Sequence, residues 1–508
     1  MTIIAKRITL ALTAGLLTLG TFSCSEERLN PIPEAQISNT VAFDTPARIM
    51  LQVNGLYRYV KTGGFLGGRV QVHSDIRAND FINRTNNGVT GLLVWNHTVT
   101  EQSQNDVINT WGFGYSAINQ INVFLDGLTA NTGKYVAPIF PTTFAATALG
   151  YEGEARFLRA LCYYHLLQFY ARPFADANGS KPGLPLRLKG ETNNDNNALA
   201  RSTVAQVYDQ ILLDLKFAED NLPLIPATGT VPNTAATRAH RNTAIALRTR
   251  VLLTMGRYAD VITEANKLVP AAAPFVAPTG VAHALNPSLP AVFAAAGTTE
   301  NILSFPFTAQ DAPGVQNQLG FYFLPALPSP PPSPAPPFGN GEYSLNPGAG
   351  GILNDPRWAA TDTRRTNFVQ LVGTESYLRK YTAGTPYTDP APVIRYAEVL
   401  LNLAEARVRS TNTVDPQALA LLNAVRGRSN GGTYTAASFA SANDMADAIL
   451  LERRIEFLGE GLRNTDLLRL LQPIPGKASV GAVNPTDALY IWPIPNTELA
   501  ANSLMVRN

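Results

Sequence analysis

Charge and cysteine are scarce in this chain, and each scarcity excludes something. Charged residues make up 15% of its 508 residues, against about 25% in an average soluble protein. The net charge is only +2, too small a field to gather nucleic acid. There are two cysteines, Cys24 and Cys162, too few for a disulfide framework. Cys162 falls inside a helical pattern and reads as a small buried hydrophobe. The five histidines, His73, His97, His165, His240 and His283, stand singly. With no HExxH run and no Cys/His cluster, neither a metal nor a cofactor is expected. Beyond residue 22 no apolar run is long enough to span a membrane. What is present is a hydrophobic content of 45%, which is that of a globular chain with a substantial core.

The first residues carry an address. Lys6 and Arg7 precede an apolar run over residues 8–22, and Ser23-Cys24 follows. A positive start, a short apolar stretch and a break at small residues make a secretory signal over 1–23. A break just before Cys24 reads as a bacterial lipoprotein, cut there and acylated on the cysteine, although Thr21 and Phe22 depart from the usual residues. Attachment would then be through lipid rather than a spanning helix. Residues 24–44, with Pro31 and Pro33, read as a tether.

The body, 45–508, reads as mostly helical. A helix is expected over about 45–60, with Pro46 in its first turn. Apolar residues recur at threes and fours over 105–128 and 151–170. The stripe Val204, Val207, Tyr208, Ile211, Leu215, Ala218 and Leu222 is capped by Thr203 or Ser202 and stopped by Pro223. Helix pairs turning at Gly256, and again before Asp415-Pro416, have the shape of tetratricopeptide hairpins, which must stack to bury their faces. The helical scaffold thus covers about 105–128, 151–270 and 393–470. Two irregular insertions, about 61–104 and 271–392, interrupt it. The second holds the proline-rich run over 327–338, expected to be polyproline-like and exposed.

Near the C-terminus the run ILLERRIEFLGEGLRNTDLLRL alternates in charge. Glu456 and Glu460 invite an acid/base assignment. The charges Glu452, Arg453, Glu456, Glu460, Arg463, Asp466 and Arg469 sit at helix-neighbour spacing, and Glu456 and Glu460 each have an arginine three or four positions away. Carboxylates paired with arginine make poor general acids, so this is read as a structural ion-pair network with no catalytic residue in it.

That run, with WGFGYSAINQINVFLD, GEARFLRALCYYHLLQFYARPF, RSTVAQVYDQILLDLKFAEDNLP, IRYAEVLLNLAEARVR and the closing WPIPNTELAANSLMVRN, resembles the SusD/RagB family from end to end. CSEERLNPIPEA resembles that family's acylated start. The resemblance implies a mostly helical fold in which tetratricopeptide-type hairpins form a curved scaffold carrying a loop-rich, ligand-binding half. It implies a non-enzymatic lipoprotein on the outer membrane of Bacteroidetes. Such a protein captures oligosaccharide or polysaccharide and passes it to a SusC-like, TonB-dependent transporter. Some members are associated with peptides, so a peptide or another nutrient is the alternative ligand.

Sugar rings pack their C–H faces on aromatic side chains, and amides or guanidiniums bond their hydroxyls. Aromatics in the irregular parts are therefore the candidates: Trp95 with Asn96, Tyr322 and Trp358, with Phe321, Phe323 and Tyr343 beside them in sequence. Trp111 and Trp492 are assigned to packing. Asp75 and Asp80, with Asn79 between them, could instead coordinate a cation or cap local turns.

Overall fold

The computed structural model describes residues 41–226, 234–328 and 337–508. Cys24, its signal segment and most of the proline-rich run lie outside them. Helix α1, Pro46–Val60, starts where expected: the Thr45 hydroxyl accepts from the Arg48 amide and Pro46 takes the first turn. Its buried residues Ile49, Val53, Leu56, Tyr57 and Val60 form one stripe.

Helix α2, Arg69–Arg77, was not legible as a helix. All nine of its residues are buried, so it has no polar face and shows no amphipathic period. A three-residue strand β1, Phe81–Asn83, and a single turn, Leu92–Trp95, follow it. Helices α3, Asn109–Ala130, and α4, Phe144–Tyr170, pack on each other and on α1. Helix α5, Val204–Asn221, is closed by a reciprocal cap between Thr203 and Gln206. Helices α6, Arg241–Thr254, and α7, Tyr258–Ala265, turn at Gly256, whose φ is +70°.

The second insertion is bracketed by an antiparallel pair. Strand β2, Asn301–Phe305, lies against a later strand, Ala391–Arg395. Between them sit β3, Tyr343–Leu345, paired with β1, and the hairpin β4–β5, Val369–Val372 with Glu375–Leu378. The bracketing strand, β6, runs directly into α8, Tyr396–Thr411. The sequence IRYAEVLL reads as helix throughout, but Pro392, Val393 and Ile394 favour the extended pairing, and the helix begins only at Tyr396. Helix α9, Pro416–Arg428, starts on the Asp415 carboxylate, which accepts from the Ala418 amide at 2.8 Å. Helix α10, Ala442–Glu456, and α11, Arg463–Arg469, complete the scaffold.

One apolar core runs through the hairpins and into the insertions, joining Leu161, Val251 and Leu403 to Phe305, Tyr322 and Tyr381. Cys162 is buried within it. No described helix is long and apolar enough to cross a membrane.

Candidate functional site

The aromatics singled out from the sequence are interior. Trp95 is 8% exposed and its indole N–H donates to the Phe81 carbonyl at 2.8 Å. Tyr322 is 0% exposed; its hydroxyl donates to the Gln316 carbonyl and its ring stacks on Tyr343. Trp358 is 3% exposed beneath the Arg365 guanidinium, 4.3 Å from the ring centroid. Rings held this way have no free face for a sugar, which corrects the expectation for all three. Asn96 is half-buried and closes the turn over Leu92–Trp95. Phe323 and Tyr343 are buried and Phe321 half-buried, while Trp111 and Trp492 pack in the core as assigned.

Asp75 and Asp80 do not converge on a cation. Asp80 receives the Arg454 guanidinium and the Ile352 amide. Asp75 accepts from the Gly461 amide at 3.1 Å, and burial pushes its carboxyl up to about 7.

The C-terminal charges do form a network, but with distant partners. Within the segment, Asp466–Arg469 is the one pair at helix-neighbour spacing, and Arg453 reaches Asp466 across the break. That break is made by Gly459 and Gly461, both at φ +82°, so the run is two helices and not one. Glu452 pairs with Arg364 and Arg426; Glu456 with Arg364, Arg395 and Arg428; Glu460 with Lys380 and Arg395. Arg463, expected to belong, forms no ion pair among the described residues. Burial alone would raise the Glu456 carboxyl, but Arg428, Arg395 and Arg364 hold it well below the ordinary carboxylate range. The carboxyls that are raised, Asp75, Asp106 and Asp389, are lifted by burial and sealed in the core.

An exposed ring with amides around it lies elsewhere, where the two insertions meet the start of α3. Phe113 is 40% exposed. Asn109 precedes it by one turn on the same helix face and receives the Gln104 amide at 2.8 Å. The loop between α1 and α2 runs close beneath: a Cβ on Gly64 would fall into the Phe113 ring, and one on Gly63 onto the Pro313 carbonyl. Only glycine permits both approaches. On the insertion side Arg69 donates to the Asn317 amide oxygen at 2.6 Å and to the Asn105 carbonyl at 2.7 Å. Lys61 donates to Asp311 and to the Pro306 carbonyl and lies 4.9 Å from the Phe307 ring centroid. Val315, between Gly314 and Gln316 at positive φ, is 85% exposed. The surface therefore offers a ring, an aliphatic side chain and neutral amides, with its charges already paired or bonded to carbonyls. Phe113 was readable in the sequence: it falls off the Trp111–Tyr115–Ile118 stripe, between two glycines.

Comparison with known proteins agrees with this architecture. Residues 340–475 match the SusD family, and residues 37–253 match a family described as starch-binding, associating with outer membrane. A curated relative, SusD-like protein P2 of Formosa agariphila, is 23% identical over 97% of each chain. A SusD superfamily protein of Bacteroides fragilis superposes with a TM-score of 0.76 at 29% identity, over 91% of this chain and 99% of that one. Surface glycan-binding protein A of Bacteroides uniformis shares the fold, with a TM-score of 0.69 at 21% identity over 91% and 99%. The chain belongs to the SusD/RagB family.

Proposed function

We propose that the protein captures oligosaccharide or polysaccharide nutrients without cleaving them. It does so at the outer membrane, anchored through Cys24, and passes them to a TonB-dependent transporter. The family descriptions support a saccharide ligand and the outer membrane as its location. The observation that carries the reading is the half-exposed Phe113 ring flanked by the Asn109 and Gln104 amides on a surface of little free charge. A ring face takes the C–H side of a sugar, and amides bond its hydroxyls without discriminating by charge. The C-terminal carboxylates are neutralised by cations, and Asp106, whose raised carboxyl lies two residues from Gln104, is only 1% exposed, so neither presents a proton donor to a ligand on this surface.

Calorimetric titration of the purified protein with a panel of glycans and peptides tests this. Glycan binding without product release is expected. Phe113→Ala should weaken it about tenfold, ~1.4 kcal/mol, with the fold intact by circular dichroism. Release of shorter products from a polysaccharide, or binding of peptides alone, would overturn it.

A further inference from the structure

A second opening lies apart from the Phe113 surface, within the insertion. It is a cleft of about 270 Å³ between the short helix Leu289–Ala294, the short helix Thr363–Phe368 and the residues that follow β5. That volume suits one sugar ring rather than a chain, since pockets for drug-sized ligands start at roughly 300 Å³. Its walls are fixed: the Arg379 amide donates to the Phe368 carbonyl at 2.9 Å, and the Thr382 amide to Asp389 at 2.7 Å.

The lining has a definite chemical bias. No carboxylate contributes to it. Lys380 does line it, but its ammonium is already bound to Glu460 and to the Glu456 carbonyl, both at 2.7 Å. Arg379 is different. Arg364, Arg395, Arg426 and Arg428 nearby in the fold each meet a carboxylate. The half-buried Arg379 guanidinium has neither an ion pair nor a hydrogen bond among the described residues. The Asn367 amide and the Thr382 hydroxyl, on the same cleft, are likewise uncommitted. A guanidinium fork is matched in shape to a carboxylate or a sulfate and bonds either with two parallel N–H groups. Pro290 and Ala294, both exposed, give the cleft an aliphatic side for the C–H face of a ring.

We propose that this cleft is a second saccharide pocket selecting a sugar that bears an anionic substituent, a carboxylate or a sulfate ester, held by Arg379. This rests on the saccharide-binding reading above and adds a charge preference that the Phe113 surface lacks. The test is titration of wild-type protein, Arg379→Gln and Asn367→Ala with glucuronate, galactose 6-sulfate and neutral galactose, with neutral oligosaccharides run in parallel. Wild type should bind at least one acidic sugar at least tenfold more tightly than galactose, and Arg379→Gln should abolish that preference. The glucuronate and sulfate arms distinguish the two substituents. Equal binding of acidic and neutral sugars, or a preference that survives Arg379→Gln, overturns the proposal. If neutral oligosaccharides bind and no acidic sugar does, the cleft assignment falls while the Phe113 reading stands. If no saccharide binds at all, both fall.

Discussion

Replacing Glu456 with glutamine removes one negative charge from a closed interior cluster. The cluster contains five cations, Arg364, Lys380, Arg395, Arg426 and Arg428, and five carboxylates, Glu300, Asp362, Glu452, Glu456 and Glu460. All ten are buried or nearly so, and the set is neutral. Glu456 sits at its centre, accepting from Arg428 at 2.5 Å, Arg364 at 2.8 Å and Arg395 at 2.9 Å. Glutamine keeps one oxygen but turns a donor toward guanidiniums that have nothing to accept with. The cluster is left with an unbalanced positive charge. Removing one partner from a buried ion pair costs about 3–5 kcal/mol. That is a large share of the roughly 5–15 kcal/mol that holds a domain together.

The assay is denaturant unfolding followed by circular dichroism, in which the midpoint should fall at an unchanged slope. The double change Glu456→Gln with Arg428→Gln restores neutrality and should cost less than Glu456→Gln alone. Because the folded pKa of Glu456 lies below its unfolded value, its contribution is complete above about pH 4.5 and fades as pH falls through the folded value. The difference between wild type and variant should therefore shrink in acid. A loss under about 1 kcal/mol at neutral pH, or a double variant less stable than the single one, would refute the reasoning.

Other perturbations test the interior from different sides. Lys477 is buried with its ammonium bonded to the Arg77 carbonyl at 2.8 Å and near His97, and it forms no ion pair among the described residues; burial, with Arg77 beside it, holds its pKa well below the ordinary lysine value. Lys477→Met should raise the melting temperature through a gain of about 1–3 kcal/mol, and a lower melting temperature would contradict this. His240 and His283 meet Nε2 to Nε2 at 3.0 Å, where one ring supplies the shared proton; the His283 Nδ1 faces the Thr299 carbonyl, and the His240 Nδ1 faces the Thr243 hydroxyl and the Arg238 carbonyl. Burial holds them down to about 3 and about 4, so the unfolded chain binds more protons below about pH 6.5 and each ring costs about 2 kcal/mol by pH 5. Asp75 and Asp106, raised to about 7, act in the opposite sense, so the check is the wild-type slope of stability against pH minus that of His283→Gln, which should be the shallower.

Much of the scaffold was legible because its helices are amphipathic and bear explicit ends. Thr45-Pro46, Thr203 with Gln206, and Asp415-Pro416 are local signals, and the structure places caps at all three. Helix α2 was illegible for the converse reason, since a helix buried on every side carries no period. The ion cluster was half legible. The sequence carries the alternation of sign around Glu456, but the cations that answer it come from residues 364, 380, 395 and 428, and nothing local encodes that meeting. The ligand surface failed in the same way. Tryptophan and tyrosine in irregular segments suggested exposed platforms, yet Trp95, Tyr322 and Trp358 each reach the core because the loops bearing them are themselves packed. The exposed ring instead stands on a regular helix, off its apolar stripe.

The low charge content takes on a different meaning once the cluster is located. A chain with few charges could have left them on its surface, as most proteins do. Here ten of them are gathered inside, so the exterior is more nearly neutral than the composition alone implies. The same ten residues join Glu300, Asp362, Arg364, Lys380 and Arg395, on or beside the second insertion, to helices α9 and α10 and the turn after α10. Breaking any of these contacts exposes an unpaired charge to the interior, so the insertion is held to the scaffold more firmly than loop segments alone would be. A binding surface carried on a segment fixed in this way loses little freedom when a ligand arrives. That matters most for neutral sugars, whose individual contacts are weak and which no long-range field draws in.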